Sequence, residues 1–321
     1  WVIQMAQHNR LHVITRANNQ ASIEAHLPNK LKNNIIFHYY DAPSFIRQLK
    51  KRAKRLYFYY FVWQIGIIPI VRHIIKTERI DYTMHLTFGS MWMPTFLPFF
   101  STSFIWGPIG GGDCEPRPFL KLLPFKQKVI QSFRYVMNAL SFMHPGVMFA
   151  AYRAKVILAR TPNTARAIPN CFRAKVQTIL ETAMEDSVFE HKCVYQLNDD
   201  LVRMITTGRL LPNKNILTAV KSLGYIPKDY RVRLTIIGSG YQRREIEETA
   251  KRIGRSQDVV IIDELPREEV LAVVERSDIF LFPSLREGGS WSLMEAMAIG
   301  LPVICLDWAG MGIITDDNCA I

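Results

Sequence analysis

Strand and helix signals alternate along this chain, which predicts an α/β fold built on parallel sheets and divided into about two domains. Three observations carry the prediction. Short runs rich in Val, Ile, Leu and Phe recur, such as Leu11-His12-Val13-Ile14-Thr15, Arg233-Leu234-Thr235-Ile236-Ile237 and Ile279-Phe280-Leu281-Phe282, with helical stretches between them. The length of 321 residues fits two domains with sizeable cores. A hydrophobic content of 49% excludes a disordered chain.

The elements follow in order. Residues 1–9 read as a helix already under way, and 11–15 as a strand. Ala17-Asn18-Asn19-Gln20 is a polar turn, and 34–38 a second strand. Residues 57–71 form an uncharged aromatic and aliphatic run. Its fifteen residues are fewer than the roughly 20 that span a bilayer, so it is either a buried helix or an interfacial anchor. Residues 80–88 read as a strand that carries His85 near its end, where an open α/β sheet binds ligands. A structural histidine is the plainer reading. Residues 103–106 are a strand, followed by a loop at 107–113 with Gly110, Gly111 and Gly112 in succession. No Lys-Ser/Thr follows, which excludes a P-loop. Three glycines are entropically costly unless backbone approaches something closely, so the loop is expected to be flexible and to lie over a cleft between domains; a tight turn is the alternative. Strands are expected at 155–161 and 175–180, with a helix beginning at Pro162.

Residues 186–197 form the expected crossing, giving domains 1–197 and 198–321. In the second, strands fall at 203–207, 233–237, 258–262 and 279–282, with a charged helix over 241–253. Pro283 and Ser284 end the last of these strands, because proline cannot donate to a ladder. Then comes Arg286-Glu287-Gly288-Gly289-Ser290-Trp291-Ser292-Leu293-Met294-Glu295, a glycine turn running into a helix that Gly300 and Pro302 stop, and a strand at 303–305. Glu287 sits on the loop and Glu295 on the helix. Two carboxylates so placed can each accept hydrogen bonds from a different polyol. The helix N-terminus and its glycines offer N–H groups to a phosphate between them. The plainer reading is a glycine turn before a buried helix with a solvated Glu295.

The stretch Glu287-Gly288-Gly289-Ser290-Trp291-Ser292-Leu293-Met294-Glu295 resembles the E-x7-E signature of retaining GT-B glycosyltransferases of family 4. Gly208-Arg209-Leu210 with Lys214-Asn215, Ile237-Gly238-Ser239-Gly240, and 277–284 resemble three further elements of that family, in the same order. The resemblance is specific over about 200–312. It implies a GT-B fold of two Rossmann-like domains with a cleft between them. It also implies transfer of a sugar, of the hexosyl type, from a nucleotide-diphosphate sugar to a glycan or lipid-linked acceptor in polysaccharide biosynthesis. By resemblance, Arg209 and Lys214 neutralise the donor diphosphate, Glu287 holds sugar hydroxyls and Glu295 the ribose. Gly208, Gly238, Gly288, Gly289 and Ser290 approach the donor through backbone. His85 stands as a catalytic candidate and Gly110–Gly112 as the acceptor-side loop. The chain departs from the family at two places. Met84 stands where a histidine is usual in the D-x-x-H-x-H setting, and Glu181-Thr182-Ala183-Met184 replaces the usual Asn-Gly. No metal and no cofactor are expected, since the two cations take the metal's role and no Cys/His/Asp cluster is visible. Against the family, Trp1 lies past the expected first strand and Ile321 before the closing helices, so the chain is expected to be a fragment.

Charge is uneven. Residues 1–160 carry 21 Lys and Arg against 6 Asp and Glu, a net of +15; residues 161–321 carry 19 against 22, a net of −3. The excess implies an anionic partner for the first half. Aromatic and aliphatic residues accompany the charge, above all where Lys50, Lys51, Arg52, Lys54 and Arg55 adjoin the 57–71 run, so an anionic membrane surface is expected rather than nucleic acid. Five cysteines without CxxC spacing fit reduced thiols, hence a cytoplasmic protein, peripheral on the inner membrane face. Two other classes compete: a sugar-nucleotide epimerase on the same fold, whose only visible acid/base candidate is His85, and a non-catalytic protein that binds sugar nucleotides or membrane surfaces.

Overall fold

The computed structural model describes residues 1–49, 56–194 and 200–315. The basic run 50–55 and residues 195–199, which include the end of the expected crossing, lie outside the described residues. The chain divides into two compact units, 1–109 with 144–157, and 110–143 with 158–321.

In the first unit, β1 (Leu11–Thr15) pairs in parallel with β2 (Ile35–Tyr39), Leu11 opposite Ile35. The apolar run expected over 57–71 is two helices, Leu56–Gly66 and Ile68–Thr77. By length and composition the stretch Leu56–Thr77 suffices to cross a bilayer, which corrects the shorter reading of 15 residues. Tyr59, Tyr60, Trp63 and Val71 nonetheless form a core with Ala42 and Ile67, as buried helices do. The next strands are β3 (Tyr82–His85), β4 (Ser103–Ile109) and β5 (Ala154–Ala159), with β6 (Val176–Thr178) in the second unit, and the four-stranded sheet has the order β3-β4-β5-β6. β4 runs three residues further than expected, through Gly107 and Pro108. β3 pairs with it only as far as Trp106, so the missing proline N–H costs that ladder nothing.

The second unit contains a five-stranded sheet of β7 (Leu201–Thr207), β8 (Arg231–Ile237), β9 (Val259–Ile262), β10 (Ile279–Phe282) and β11 (Val303–Cys305). Its order is β11-β10-β7-β8-β9, and every pairing is parallel. The strands read as near-continuous apolar runs because both faces are covered. Met204, Leu234 and Ile236 pack under the helices Ile216–Ser222 and Arg243–Arg252. Ile205, Phe280 and Phe282 pack on the other face under Arg267–Glu275 and Trp291–Ile299. The strand order reverses between β7 and β10, so the loops leaving those two strands flank the topological switch point, where such sheets bind ligands.

Candidate functional site

Gly208, Arg209 and Lys214 follow β7; Glu287, Gly288, Gly289 and Ser290 follow β10; Gly238 follows β8, and Glu295 lies on the helix Trp291–Ile299. After β7 the chain turns at Gly208 (φ 145°), whose N–H donates to Ile237 O at 2.9 Å. Gly238 (φ 146°) faces it so closely that a Cβ there would lie 2.0 Å from Gly208 O. Any side chain at 238 would therefore push the two loops apart. Arg209 is exposed. Lys214 ends a short 3-10 turn, Pro212–Lys214, and Asn215 follows it in the left-handed region (φ 56°).

After β10, Leu285 N donates to Asn213 O at 2.8 Å, which joins the second loop to the first. Lys214 Nζ then forms an ion pair with Glu287 Oε1, which also accepts from Ser284 Oγ at 2.8 Å. The two residues assigned to diphosphate and sugar thus touch each other, a contact that spans 73 positions. Gly310 N donates to Glu287 O at 2.9 Å and fixes the loop from behind. Ser290 Oγ accepts from Leu293 N at 3.3 Å and caps the helix Trp291–Ile299, so this hydroxyl serves the helix end. Glu295, on the same helix, accepts from Arg267 Nε at 2.9 Å, while Arg267 Nη1 donates to Glu185 at 2.7 Å.

Further residues meet the signature loop. Arg160 follows the C-terminal end of β5, pairs with Glu181 at 2.5 Å, and lies along Gly288, where a Cβ would be 3.5 Å from its Nη2. A Cβ at Gly289 would come within 2.6 Å of Thr182 Oγ1. A Cβ at Gly110 would come within 2.8 Å of Arg160 Nε, a buried atom with no hydrogen-bond partner among the described residues. Arg286 Nη1 is likewise buried without a partner among them. Both nitrogens are unspent donors, that of Arg160 on a side chain that lies along Gly288. Arg160, Glu181, Thr182 and Arg267 were not singled out from sequence as site residues. The available signal was position: Arg160 follows a parallel strand's C-terminal end.

The loop of Gly110, Gly111 and Gly112 is held rather than draped. Gly110, Gly112 and residues 113–116 are buried. Gly112 N donates to Thr164 Oγ1 at 3.3 Å, and Asp113 accepts from Thr161 Oγ1 at 2.6 Å. Trp308 Nε1 donates to Cys114 O at 2.8 Å. This corrects the expected flexible loop: its backbone groups are spent on neighbours. Burial pushes the Asp113 and Glu181 carboxyls above the usual carboxylate range, opposed by the Thr161 and Thr164 hydroxyls at Asp113 and by Arg160 at both.

His85 lies in the first unit, buried, with Nε2 at 2.6 Å from both Tyr60 OH and Thr87 O. Burial pushes its pKa down to about 4, opposed by the bond to Thr87. This is the setting of a neutral structural histidine. Among the described residues no three His, Cys, Asp or Glu side chains gather into a metal-binding group.

Comparison with known proteins bears on the family and the fold. Residues 188–318 match the model of the family Glycosyl transferases group 1. An uncharacterized glycosyltransferase of Methanocaldococcus jannaschii is 25% identical over 206 residues, 62% of this chain and 51% of that protein. The chain therefore spans about half the length of this curated relative. Among solved structures, WaaG, a glycosyltransferase involved in lipopolysaccharide biosynthesis, is 15% identical with a TM-score of 0.53 over 100% of this chain and 79% of its own. HepE of Anabaena in complex with UDP is 12% identical with a TM-score of 0.56, over 98% and 78%. The fold is GT-B.

Proposed function

We propose that the chain acts as a retaining glycosyltransferase of family 4, moving a hexosyl unit from a nucleotide-diphosphate sugar to a glycan or lipid-linked acceptor. The observation that carries this reading is the meeting of Lys214 and Glu287 at the switch point of the five-stranded sheet. A carboxylate for hydroxyls and an ammonium for phosphate, held side by side, are what the sugar–diphosphate junction requires. Residues 198–321 are the donor domain and 1–197 the acceptor side of a cytoplasmic, membrane-peripheral enzyme.

In the reaction, the bond between the anomeric carbon and the diphosphate oxygen breaks as the acceptor oxygen arrives on the same face. The acceptor proton passes to the departing phosphate. Negative charge grows on the diphosphate, and Lys214 and Arg209 stabilise it there, so these two cations supply what a divalent metal would otherwise supply. Glu287 holds the sugar and Glu295 the ribose, with backbone N–H groups at 288–290 beside them.

A calorimetric screen of nucleotide sugars against the chain tests the reading, followed by NMR of the product's anomeric configuration. Binding of one donor and retention of configuration are expected. Failure of every donor to bind, or an inverted product, would sink it.

A further inference from the structure

The helix Phe125–Ala139 is amphipathic in the reverse sense for a helix of a globular unit. Its inward side is polar. Gln131 donates to Glu115 Oε1 at 3.0 Å, Tyr135 OH to Glu115 O at 2.6 Å, and Asn138 Nδ2 to Gly112 O at 2.7 Å. Arg134 reaches Asp113 O at 3.4 Å. At about 100° per residue these four share one side, and Phe125, Val129, Phe133 and Val136 fall within about 80° on the opposite side. That opposite stripe faces outward: Phe125 is 81% and Phe133 64% exposed, and Val129 and Val136 are exposed with them. Leu122 before the helix and Leu140, Phe142 and Met143 after it extend the apolar surface. Lys126 and Lys128 border the stripe, one on each side.

A row of exposed phenylalanines is unfavourable in water and marks an interaction surface. Its surroundings say what covers it. No acidic residue occurs between Glu115 and Glu181, while eleven Lys and Arg do. At the helix's C-terminal end a groove of about 500 Å³ is walled by Phe142 together with Arg166 and Arg173. A second copy seated face to face would set Lys126 and Lys128 against like charges, which opposes pairing. Apolar rings bordered by lysines, in a field with no acid, match the boundary between acyl chains and anionic headgroups.

We propose that the outward face of the helix Phe125–Ala139 docks on an anionic lipid bilayer. The helix lies flat, with Phe125, Val129, Phe133 and Val136 among the acyl chains and its lysines at the phosphates. Its inner side grips the Gly110–Glu115 loop, so docking holds that loop about 10 Å, one helix diameter, from the lipid. The loop in turn lies against Arg160, which also lies along Gly288. Docking concerns a surface rather than a reaction, so it stands or falls independently of sugar transfer.

Flotation of the chain with phosphatidylglycerol–phosphatidylcholine vesicles tests this, with pure phosphatidylcholine as control and circular dichroism to confirm folding. Binding to the anionic vesicles is expected, weakened by salt. Phe125→Glu with Phe133→Glu should lower partitioning on the order of 100-fold. In the vesicle-bound fraction the indole introduced by Phe133→Trp should be quenched by brominated acyl chains, with or without neutralisation of Lys50, Lys51, Arg52, Lys54 and Arg55. Absence of flotation, unchanged flotation of the double variant, or an indole that brominated lipid leaves unquenched overturns the proposal. So does a dimer in sedimentation that Phe133→Glu dissolves.

Discussion

Arg267 offers the sharpest test of how the site is held. It touches Glu295 at 2.9 Å and Glu185 at 2.7 Å, and the two contacts differ in worth. The Glu185 side chain is 61% exposed, so that pair contributes close to nothing. The Glu295 side chain is only 12% exposed, but Arg267 itself is 40% exposed, which moderates the usual strength of a charged hydrogen bond to about 1 kcal/mol. If the bond aims the Glu295 carboxylate at the ribose, Arg267→Ala should weaken nucleoside diphosphate binding about five-fold. Glu295→Ala removes the acceptor itself and should cost about 1.5–3 kcal/mol, roughly 10- to 150-fold. Because Arg267 acts through Glu295, the double variant should bind no more weakly than Glu295→Ala alone, whereas Glu185→Ala should change affinity by less than about two-fold. Calorimetry with the nucleotide found in the donor screen measures all four. A double variant that loses the product of the two single effects would show Arg267 contacting the nucleotide on its own account, and the positioning argument would be wrong.

Three other outcomes are expected. Lys214→Ala and Arg209→Ala should depress the turnover rate more than they weaken donor binding if, as proposed, both cations meet growing charge; steady-state kinetics with and without magnesium decide it, and activity that requires magnesium but ignores both substitutions would contradict the assignment. His85 has a folded pKa depressed to about 4, so its contribution is intact above pH 6.5 and is lost as pH falls through that window, by about 1.4 kcal/mol per unit; denaturant unfolding at pH 7 and pH 5 should show a shallower pH dependence for His85→Gln, and equal slopes would refute the burial argument. Neutralising Lys50, Lys51, Arg52, Lys54 and Arg55 should cut anionic-vesicle binding by up to about 1 kcal/mol per residue while leaving donor affinity unchanged; a variant that floats like the parent, at low and high salt alike, would remove these residues from the membrane contact.

The sequence by itself determined the local elements and the motif residues. The strands of the second unit were legible because a parallel sheet covered on both faces needs short, near-continuous apolar runs, and Gly208 and Gly238 marked where those runs had to turn. Arg209, Lys214, Glu287, Ser290 and Glu295 could be named as candidates because their spacing within one loop or helix is a local property. Pro108 misled for the same reason: proline reads as a strand end unless one knows that its neighbour strand has already stopped. Only the tertiary structure decided what these residues meet. Strand order places the β7 and β10 loops side by side, so Lys214 finds Glu287 across 73 positions, and no periodicity encodes that distance. It likewise brought Arg160 to Gly288 and Arg267 to Glu295, and it spent the glycine loop's backbone on Thr164, Asn138 and Trp308. The helix Phe125–Ala139 shows the limit most clearly. Its apolar stripe is plain in the sequence, yet the side that faces inward was fixed by hydrogen bonds from Gln131, Tyr135 and Asn138 to a loop, because the Glu115 carboxylate and the carbonyls of that loop require donors and a stripe of phenylalanines has none to give.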